Sequence, residues 1–445
     1  MVEGVYVIMK KIRLFLALSL VLALVMPLLV ACNDGDNGAA SDGPVEITIA
    51  WWGGEARHDL FNEILDNYEY LASNVTFERQ FAPWGDYWTR LITQAASDTL
   101  PDTFGMTAHH RTDFSLRGLM YPLDGFIEDG VIDVSNFTEG SLAAGQFEGQ
   151  QLFITFGDTV AVLAYNRTLI DSLGMDPPSG AMTYSEFIDY LTELNEVLPD
   201  DMWPFLGAWE HQFENHVRQF GAEMVAYVDG ERVLGYTPEI LESYFQFAYD
   251  LLQAGLTPPA EVAAENIGRQ WVDSLEGTGR IAIWQTNMNQ LKIWQAQTDD
   301  ALGATRGLVA DNAIYRYVEQ PQPSGWTVSP SSTVKYETAA FINYFVNDVD
   351  NQRLWNMELG VPGSAVIQND IIDNLTDSLV DDTIRIEILL VSEILSNVRP
   401  HPGRLEGAPA VWTDVDNTWQ EILFGLATVQ EAVAAHFDRA PLILQ

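Results

Sequence analysis

Hydrophobic and polar positions alternate over 45–51, the first of several patterns along the chain that predict strands and helices. Val45, Ile47 and Ile49 alternate with polar or small residues and lead into Trp51-Trp52-Gly53-Gly54, which predicts a strand that ends in a loop. Apolar residues then recur at helical spacing over 60–68, followed by a second predicted strand over 75–81. Strand, helix and strand in this order are typical of a parallel α/β sheet, whose ligands bind at the carboxyl ends of the strands.

The same reading predicts elements further along the chain. Thr183 with Glu186, and Thr428 with Glu431, have the spacing of capping boxes at the start of two helices. Thr237-Pro238 begins another amphipathic helix that ends at Gly255. A short apolar run over 279–284 predicts a buried strand.

The N-terminal stretch has the pattern of an export signal. An apolar run over 14–30 follows Lys10, Lys11 and Arg13, and it is short for a membrane span. Cys32 comes directly after Leu29-Val30-Ala31, an arrangement that resembles a bacterial lipobox. The alternative is an ordinary signal peptide with an incidental cysteine. We interpret 1–31 as a signal peptide and 32–44 as a flexible tether lipidated at Cys32, which predicts a protein anchored to the outer face of the cell membrane or in the periplasm.

Composition limits the classes of partner. The 445 residues carry a formal net charge of −41, which disfavours nucleic acid and anionic lipid as partners. After removal of the signal peptide and tether, the chain is long enough for two domains. Its one cysteine leaves no intrachain disulfide.

Common catalytic and metal-binding motifs are missing from the sequence. We find no His-Glu-x-x-His, Gly-x-Ser-x-Gly or Walker motif, and His211 and His216 have the wrong spacing for a zinc site on a helix. With 63 acidic residues, a catalytic carboxylate pair is neither supported nor excluded by counting. None of these patterns supports an enzyme, a cofactor or a metal site, and we expect none of the three.

The stretch 149–174 carries a specific family resemblance. Its Tyr165-Asn166-Arg167 and Leu173-Gly174-Met175 resemble motifs of the extracellular solute-binding proteins of bacterial carbohydrate ATP-binding-cassette importers, the maltodextrin-binding group. Leu152 and Thr155 stand where that family has tyrosine and proline. Further similar segments follow in the family's order along the chain: 51–54, 100–103, 108–111, 118–123, 277–284 and 425–435.

The resemblance implies an α/β, class II periplasmic-binding-protein-like fold of two lobes. Each lobe is expected to be a mainly parallel sheet flanked by helices, and a multi-strand hinge is expected to join the lobes. The implied boundaries are 45–157 and 331–361 for lobe 1, 158–325 and 366–445 for lobe 2, and 326–330 and 362–365 for the hinge.

A sugar presents apolar C–H faces and rings of hydroxyl groups, so its site needs flat aromatic rings and fixed polar groups. The residues predicted to bind the ligand, from loop positions and from the resemblance, are Trp52, Gly53, Trp84, His110, Arg111, Asp158, Trp209, Glu210, Trp284, Asn287 and Trp412. Tryptophan is usually a core residue, so we expect roughly half of these five tryptophans to belong to the core. Trp271, Trp294, Trp355 and Trp419 lie on helical patterns and are assigned to packing.

Three functions remain open at this point. The first is a monomeric, lipid-anchored receptor that captures a carbohydrate and delivers it to the membrane permease of an importer. The second is a receptor of the same fold for another solute, such as a polyol, an opine or a peptide. The third is a secreted hydrolase acting on polysaccharide.

Overall fold

The computed structural model describes residues 41, 43–207, 210–319, 321–397, 405 and 407–444. The predicted signal peptide, Cys32 and nearly all of the predicted tether lie outside these residues. The strands are β1 (Val45–Trp52), β2 (Val75–Ala82), β3 (Thr103–Thr107), β4 (Gln146–Phe147), β5 (Gln150–Gln151), β6 (Ile154–Gly157), β7 (Ala161–Asn166), β8 (Trp203–Phe205), β9 (Val225–Val228), β10 (Glu231–Leu234), β11 (Ile281–Asn287), β12 (Leu302–Thr305) and β13 (Ser324–Val328).

Helices cover much of the remaining chain. They are α1 (Glu55–Leu71), α2 (Trp84–Ala96), α3 (Ala108–Leu116), α4 (Asp124–Glu128), α5 (Glu139–Ala144), α6 (Arg167–Ser172), α7 (Tyr184–Val197), α8 (Glu210–Gln219), α9 (Pro238–Gln253), α10 (Ala260–Asn266), α11 (Leu291–Gln295), α12 (Lys335–Asn347), α13 (Val349–Trp355), α14 (Ala365–Asn374), α15 (Leu379–Asn397), α16 (Ala408–Leu423) and α17 (Val429–Ile443). Two 3-10 turns span Trp271–Asp273 and Met288–Gln290. Within the described ranges, no helix is both long and apolar enough to cross a membrane.

The structure confirms the helix starts and the strand that short sequence motifs predict. Thr183 with Glu186 and Thr428 with Glu431 form complete capping boxes, in which side chain and backbone bond reciprocally. Pro238 occupies the first turn of α9, where its missing N–H costs nothing. The strand predicted over 279–284 begins at Ile281 and continues to Asn287.

The first sheet has five strands in the order β2-β1-β3-β13-β6. Strand β1 runs parallel to β2 and β3, as the sequence predicts, whereas β13 runs antiparallel to β3 and β6. Aromatic rings fill the core beneath it, where Phe61 of α1 contacts Trp326 of β13 and Trp355 of α13. The packing role predicted for Trp355 is confirmed, since this side chain is fully buried.

The second sheet has four strands in the order β12-β7-β11-β8. Strand β7 runs antiparallel to both neighbours, and only β11 and β8 are parallel. One strand in each sheet runs opposite to the others, namely β13 in the first sheet and β7 in the second. Each is the strand through which the chain enters that sheet from the other one. The α/β fold is confirmed. The other strands of each sheet run in one direction, and the single opposed strand makes the sheet mixed.

The chain passes between the two sheets over 158–160, 306–323 and 356–364 in the described ranges. Asp158 and Val361 pair through both backbone groups at 2.8 Å, which joins the first and third crossings. Gly360 has a φ of +114°, and a Cβ there would lie 2.4 Å from the Asp158 carbonyl oxygen. The proposed hinge segment 326–330 begins inside β13, and the lobe boundaries stay a prediction.

Candidate functional site

Three tryptophan rings meet at the carboxyl edge of the first sheet. Trp52 is the last residue of β1, and its ring meets the Trp84 ring edge-on at 5.3 Å. Trp84 begins α2, and Trp88 lies one turn later, 5.4 Å from the Trp84 ring. Trp52 is only 6% exposed and Trp88 is also buried, whereas Trp84 is 45% exposed. Trp84 therefore offers an aromatic surface that the two buried rings support.

His110 completes this group, which we call the aromatic cluster (Trp52, Trp84, Trp88 and His110). It lies on α3, directly after β3, and its ring stacks on Trp88 at 3.7 Å with an interplanar angle of 26°. Trp88 was missed by the sequence reasoning, although its place one helical turn after Trp84 was a usable signal. Parallel β1 and β3 end at the same edge, which brings these four rings together.

Gly53 lies between the aromatic cluster and the third crossing. A Cβ at this position would approach the Arg57 side chain to 2.8 Å. Arg57 in turn forms an ion pair with Glu358 at 3.0 Å, and Glu358 lies on the crossing over 356–364. The predicted ligand loop is therefore coupled to the connection between the lobes.

Arg111 lies on α3 and Asp158 on the first crossing, and both side chains are buried. Arg111 donates to the backbone carbonyl of Ala144, and burial lowers its pKa to about 10. Asp158 is 0% exposed and accepts a hydrogen bond from the Ser141 hydroxyl. Burial raises the pKa of Asp158 to about 6. Both groups bond to residues of α5, and their ligand roles stay predictions.

Trp284 is 1% exposed and packs in a hydrophobic core beside the second sheet, and its ligand role stays a prediction. Its ring packs against Trp271 and Trp294 at 5.6 and 6.2 Å. Trp209 lies outside the described residues, and Glu210 begins α8. The ligand roles of Trp209 and Glu210 stay predictions.

Asn287 lies at the end of β11, beside the second crossing. Its side-chain oxygen accepts a hydrogen bond from the Gln322 amide at 3.0 Å. The backbone of Gln322 donates to the Thr159 carbonyl at 2.8 Å, and Pro323 accepts from the Ala108 N–H, at the start of α3, at 3.3 Å. These contacts link the carboxyl end of β11 to the helix that carries His110.

The second lobe contains a pocket of about 460 Å³, which we call the tryptophan pocket. Its aromatic walls include Trp271, Trp294 and Trp419, and Leu206 and Gly207 line it directly after β8. Trp271 and Trp294 stack at 4.7 Å with nearly parallel planes. The sequence assigned these three tryptophans to packing only, because the spacing within a helix does not reveal a cavity between elements.

Trp412 lies on α16 and packs against the core of the second lobe. Asp416, Trp419 and Gln420 follow it at helical spacing and line the tryptophan pocket. Burial raises the pKa of Asp416.

Across the described part of the chain, no group of three or more His, Cys, Asp or Glu side chains is arranged to hold a metal ion.

This two-lobe arrangement coincides with a family assignment. The sequence model of the bacterial extracellular solute-binding proteins matches residues 63–371, and the chain belongs to this family. Curated relatives assigned a binding role in Brucella abortus and Brucella suis are 23% identical over 140 residues. The match spans about a third (33%) of the length of those relatives.

Solved structures share the fold over nearly the whole chain. An extracellular solute-binding protein of Alicyclobacillus acidocaldarius is 19% identical, with a TM-score of 0.75 over 91% of this chain and 100% of its own. A Listeria monocytogenes substrate-binding protein in complex with cycloalternan is 18% identical, with a TM-score of 0.70 over 90% and 98%. A Yersinia enterocolitica oligogalacturonide-binding protein holding digalacturonic acid is also 18% identical, with a TM-score of 0.69 over 90% and 98%. The two-lobe solute-binding fold predicted from the sequence is confirmed.

Proposed function

We propose that the protein is a lipid-anchored receptor that captures a sugar or oligosaccharide between its lobes. It delivers that ligand to the membrane permease of an ATP-binding-cassette importer. The observation that carries the proposal is the aromatic cluster, whose half-exposed Trp84 ring stands at the carboxyl edge of the first sheet. Membership of the solute-binding family and the sugar complexes of the Listeria and Yersinia proteins support it.

Each part of this site has a distinct task in binding. The Trp84 ring offers a flat apolar face to the C–H surface of a sugar, and buried Trp52 and Trp88 fix its orientation. The Asn287 amide lies at the crossing, where it can exchange hydrogen bonds with hydroxyl groups. A ligand that contacts both lobes only when they approach each other stabilises the closed arrangement.

Replacing Trp84 by alanine is expected to weaken sugar binding by roughly 5- to 150-fold, because a stacking aromatic anchor contributes about 1–3 kcal/mol. The fold should survive, since the ring is 45% exposed. Isothermal titration calorimetry against a panel of sugars measures the affinity, and thermal melting checks the fold. The matched control is Tyr70→Ala, an aromatic residue of α1 that is 87% exposed and remote from β1's carboxyl end. Equal affinities of Trp84→Ala and wild type would remove the aromatic cluster from the site.

Replacing Cys32 by alanine is expected to release the mature protein from membranes, because the lipid is attached to that sulfur. Membrane fractionation of cells that express each form measures the release. The control variant Asn33→Ala changes the neighbouring side chain and should leave the protein membrane-bound. Retention of the Cys32→Ala protein in the membrane fraction would contradict lipid anchoring at this position.

A further inference from the structure

The tryptophan pocket has the composition of a site for a polyhydroxylated ligand. Its volume of about 460 Å³ lies within the range of roughly 300–1,000 Å³ typical of small-molecule sites. Tryptophan rings form part of the wall, and Asp416, Glu276 and Asn266 add polar groups. The Asn266 amide donates to the Glu276 carboxylate at 2.8 Å, which leaves the other Glu276 oxygen and Asp416 as acceptors for a ligand. Flat apolar surfaces beside hydrogen-bond acceptors match the two kinds of surface that a sugar presents.

The pocket lies where an extended ligand can reach it. Strands β8 and β11 are parallel, so Leu206 and Gly207 after β8 lie at the same sheet edge as Asn287 at the end of β11. One face of α16 also leads from Trp412 to the pocket-lining Asp416. A chain of sugar units bound at the crossing can therefore extend along the second lobe into the pocket.

The charges of the pocket favour a neutral ligand. The carboxylates of Asp416 and Glu276 both line it, and carboxylates accept hydrogen bonds from hydroxyl groups but repel other carboxylates. Arg269 is the one basic side chain among the described lining residues. Its single positive charge is outnumbered by the two carboxylates, and it donates to the backbone carbonyls of Glu265 at 2.7 Å and Asp273 at 3.3 Å.

We propose that the tryptophan pocket binds one unit of a neutral oligosaccharide and makes the receptor discriminate against sugar acids such as uronates. This inference rests on the proposed function and adds the ligand's charge and minimum length. The ligand must span more than one sugar unit, because the aromatic cluster and the tryptophan pocket belong to different lobes.

The test compares neutral tetrasaccharides (maltotetraose, cellotetraose, xylotetraose and mannotetraose) with digalacturonate by isothermal titration calorimetry. We expect at least one neutral tetrasaccharide to bind the wild-type protein at least tenfold more tightly than digalacturonate. Asp416→Asn should weaken that neutral tetrasaccharide about five- to tenfold. Asp416→Lys should reduce the preference over digalacturonate by tenfold or more. Asp438→Asn, which alters an exposed carboxylate of α17, is the matched control and should bind as wild type does.

The outcomes separate the two proposals. Normal tetrasaccharide binding by both folded Asp416 variants would overturn the role of the pocket and leave the receptor function standing. Digalacturonate binding as tightly as the best neutral probe would overturn the preference for a neutral ligand. Failure of the folded wild-type protein to bind these probes or any sugar of the calorimetric panel would instead contradict the sugar-receptor function itself.

Discussion

Replacing Gly360 by alanine is expected to destabilise the protein by roughly 3 kcal/mol or more. The residue has a φ of +114°, a conformation that L-residues with a Cβ rarely adopt. The added Cβ would also lie 2.4 Å from the Asp158 carbonyl oxygen, so the backbone must move. That carbonyl accepts a hydrogen bond from Val361 at 2.8 Å, and the displacement would break the pairing of two crossings.

Chemical denaturation monitored by tryptophan fluorescence measures the loss. The matched control is Gly149→Ala, which also introduces a Cβ at positive φ (+82°) but meets no atom within 4 Å. The control isolates the cost of backbone conformation, so the excess loss at Gly360 reports the close approach of the crossings. Equal losses in the two variants would show that the approach of these segments contributes nothing to stability.

Replacing Lys292 by methionine is expected to destabilise the protein by about 3–5 kcal/mol at pH 8, because it removes two buried hydrogen bonds and the positive charge that favours ionised Glu387. Lys292 of α11 is buried and donates to the backbone carbonyls of Asn356 and Met357, at the start of the third crossing. The fully buried Glu387 of α15 interacts electrostatically with the same ammonium group. Neither Glu387 oxygen receives a hydrogen bond from the described residues.

The loss of stability in Lys292→Met should depend on pH. Burial raises the pKa of Glu387 from 4.5 to about 7, against the opposing effect of Lys292. The folded protein then binds this proton more tightly than the unfolded chain, so the group's contribution to stability falls as pH rises from about 4.5 to about 7. Without Lys292 the pKa rises further, and the deficit of Lys292→Met should be larger at pH 8 than at pH 5.

Urea denaturation of both proteins at the two pH values measures this difference. Lys335→Met removes the cation that lies 5.2 Å from the Tyr121 ring and is only partly buried, and it should cost less with little pH dependence. A pH-independent deficit in Lys292→Met would contradict the electrostatic role of the Lys292–Glu387 pair.

Local patterns predicted the elements that depend on nearby residues. The alternation at Val45, Ile47 and Ile49 reflects which side of β1 is buried, and a capping box such as Thr183 with Glu186 is complete within four residues. The interest in Trp52, Gly53 and Trp84 followed from the rule that ligands meet the carboxyl ends of parallel strands, whereas His110 came from the family resemblance of 108–111. These inferences needed only short-range information and the direction of neighbouring strands.

The remaining features depend on contacts between distant segments. The sequence pattern does not show whether Trp284 lies at a strand edge or in the core. Its packing against Trp271 and Trp294 places it in the core. Asp158 is fully buried and accepts a hydrogen bond from Ser141, which lies 17 positions earlier. The tryptophan pocket and the reversed strands β7 and β13 likewise arise from the path of the chain between the sheets, which periodicity does not encode.

Closure of the two lobes on a sugar is the central claim. Small-angle X-ray scattering, with and without a neutral tetrasaccharide at a concentration that calorimetry shows to be saturating, measures it directly. The account predicts a smaller radius of gyration in the bound protein, because ligand contacts on both lobes stabilise the closed arrangement. A saturated complex whose radius of gyration equals that of the free protein would contradict capture of the sugar by closure.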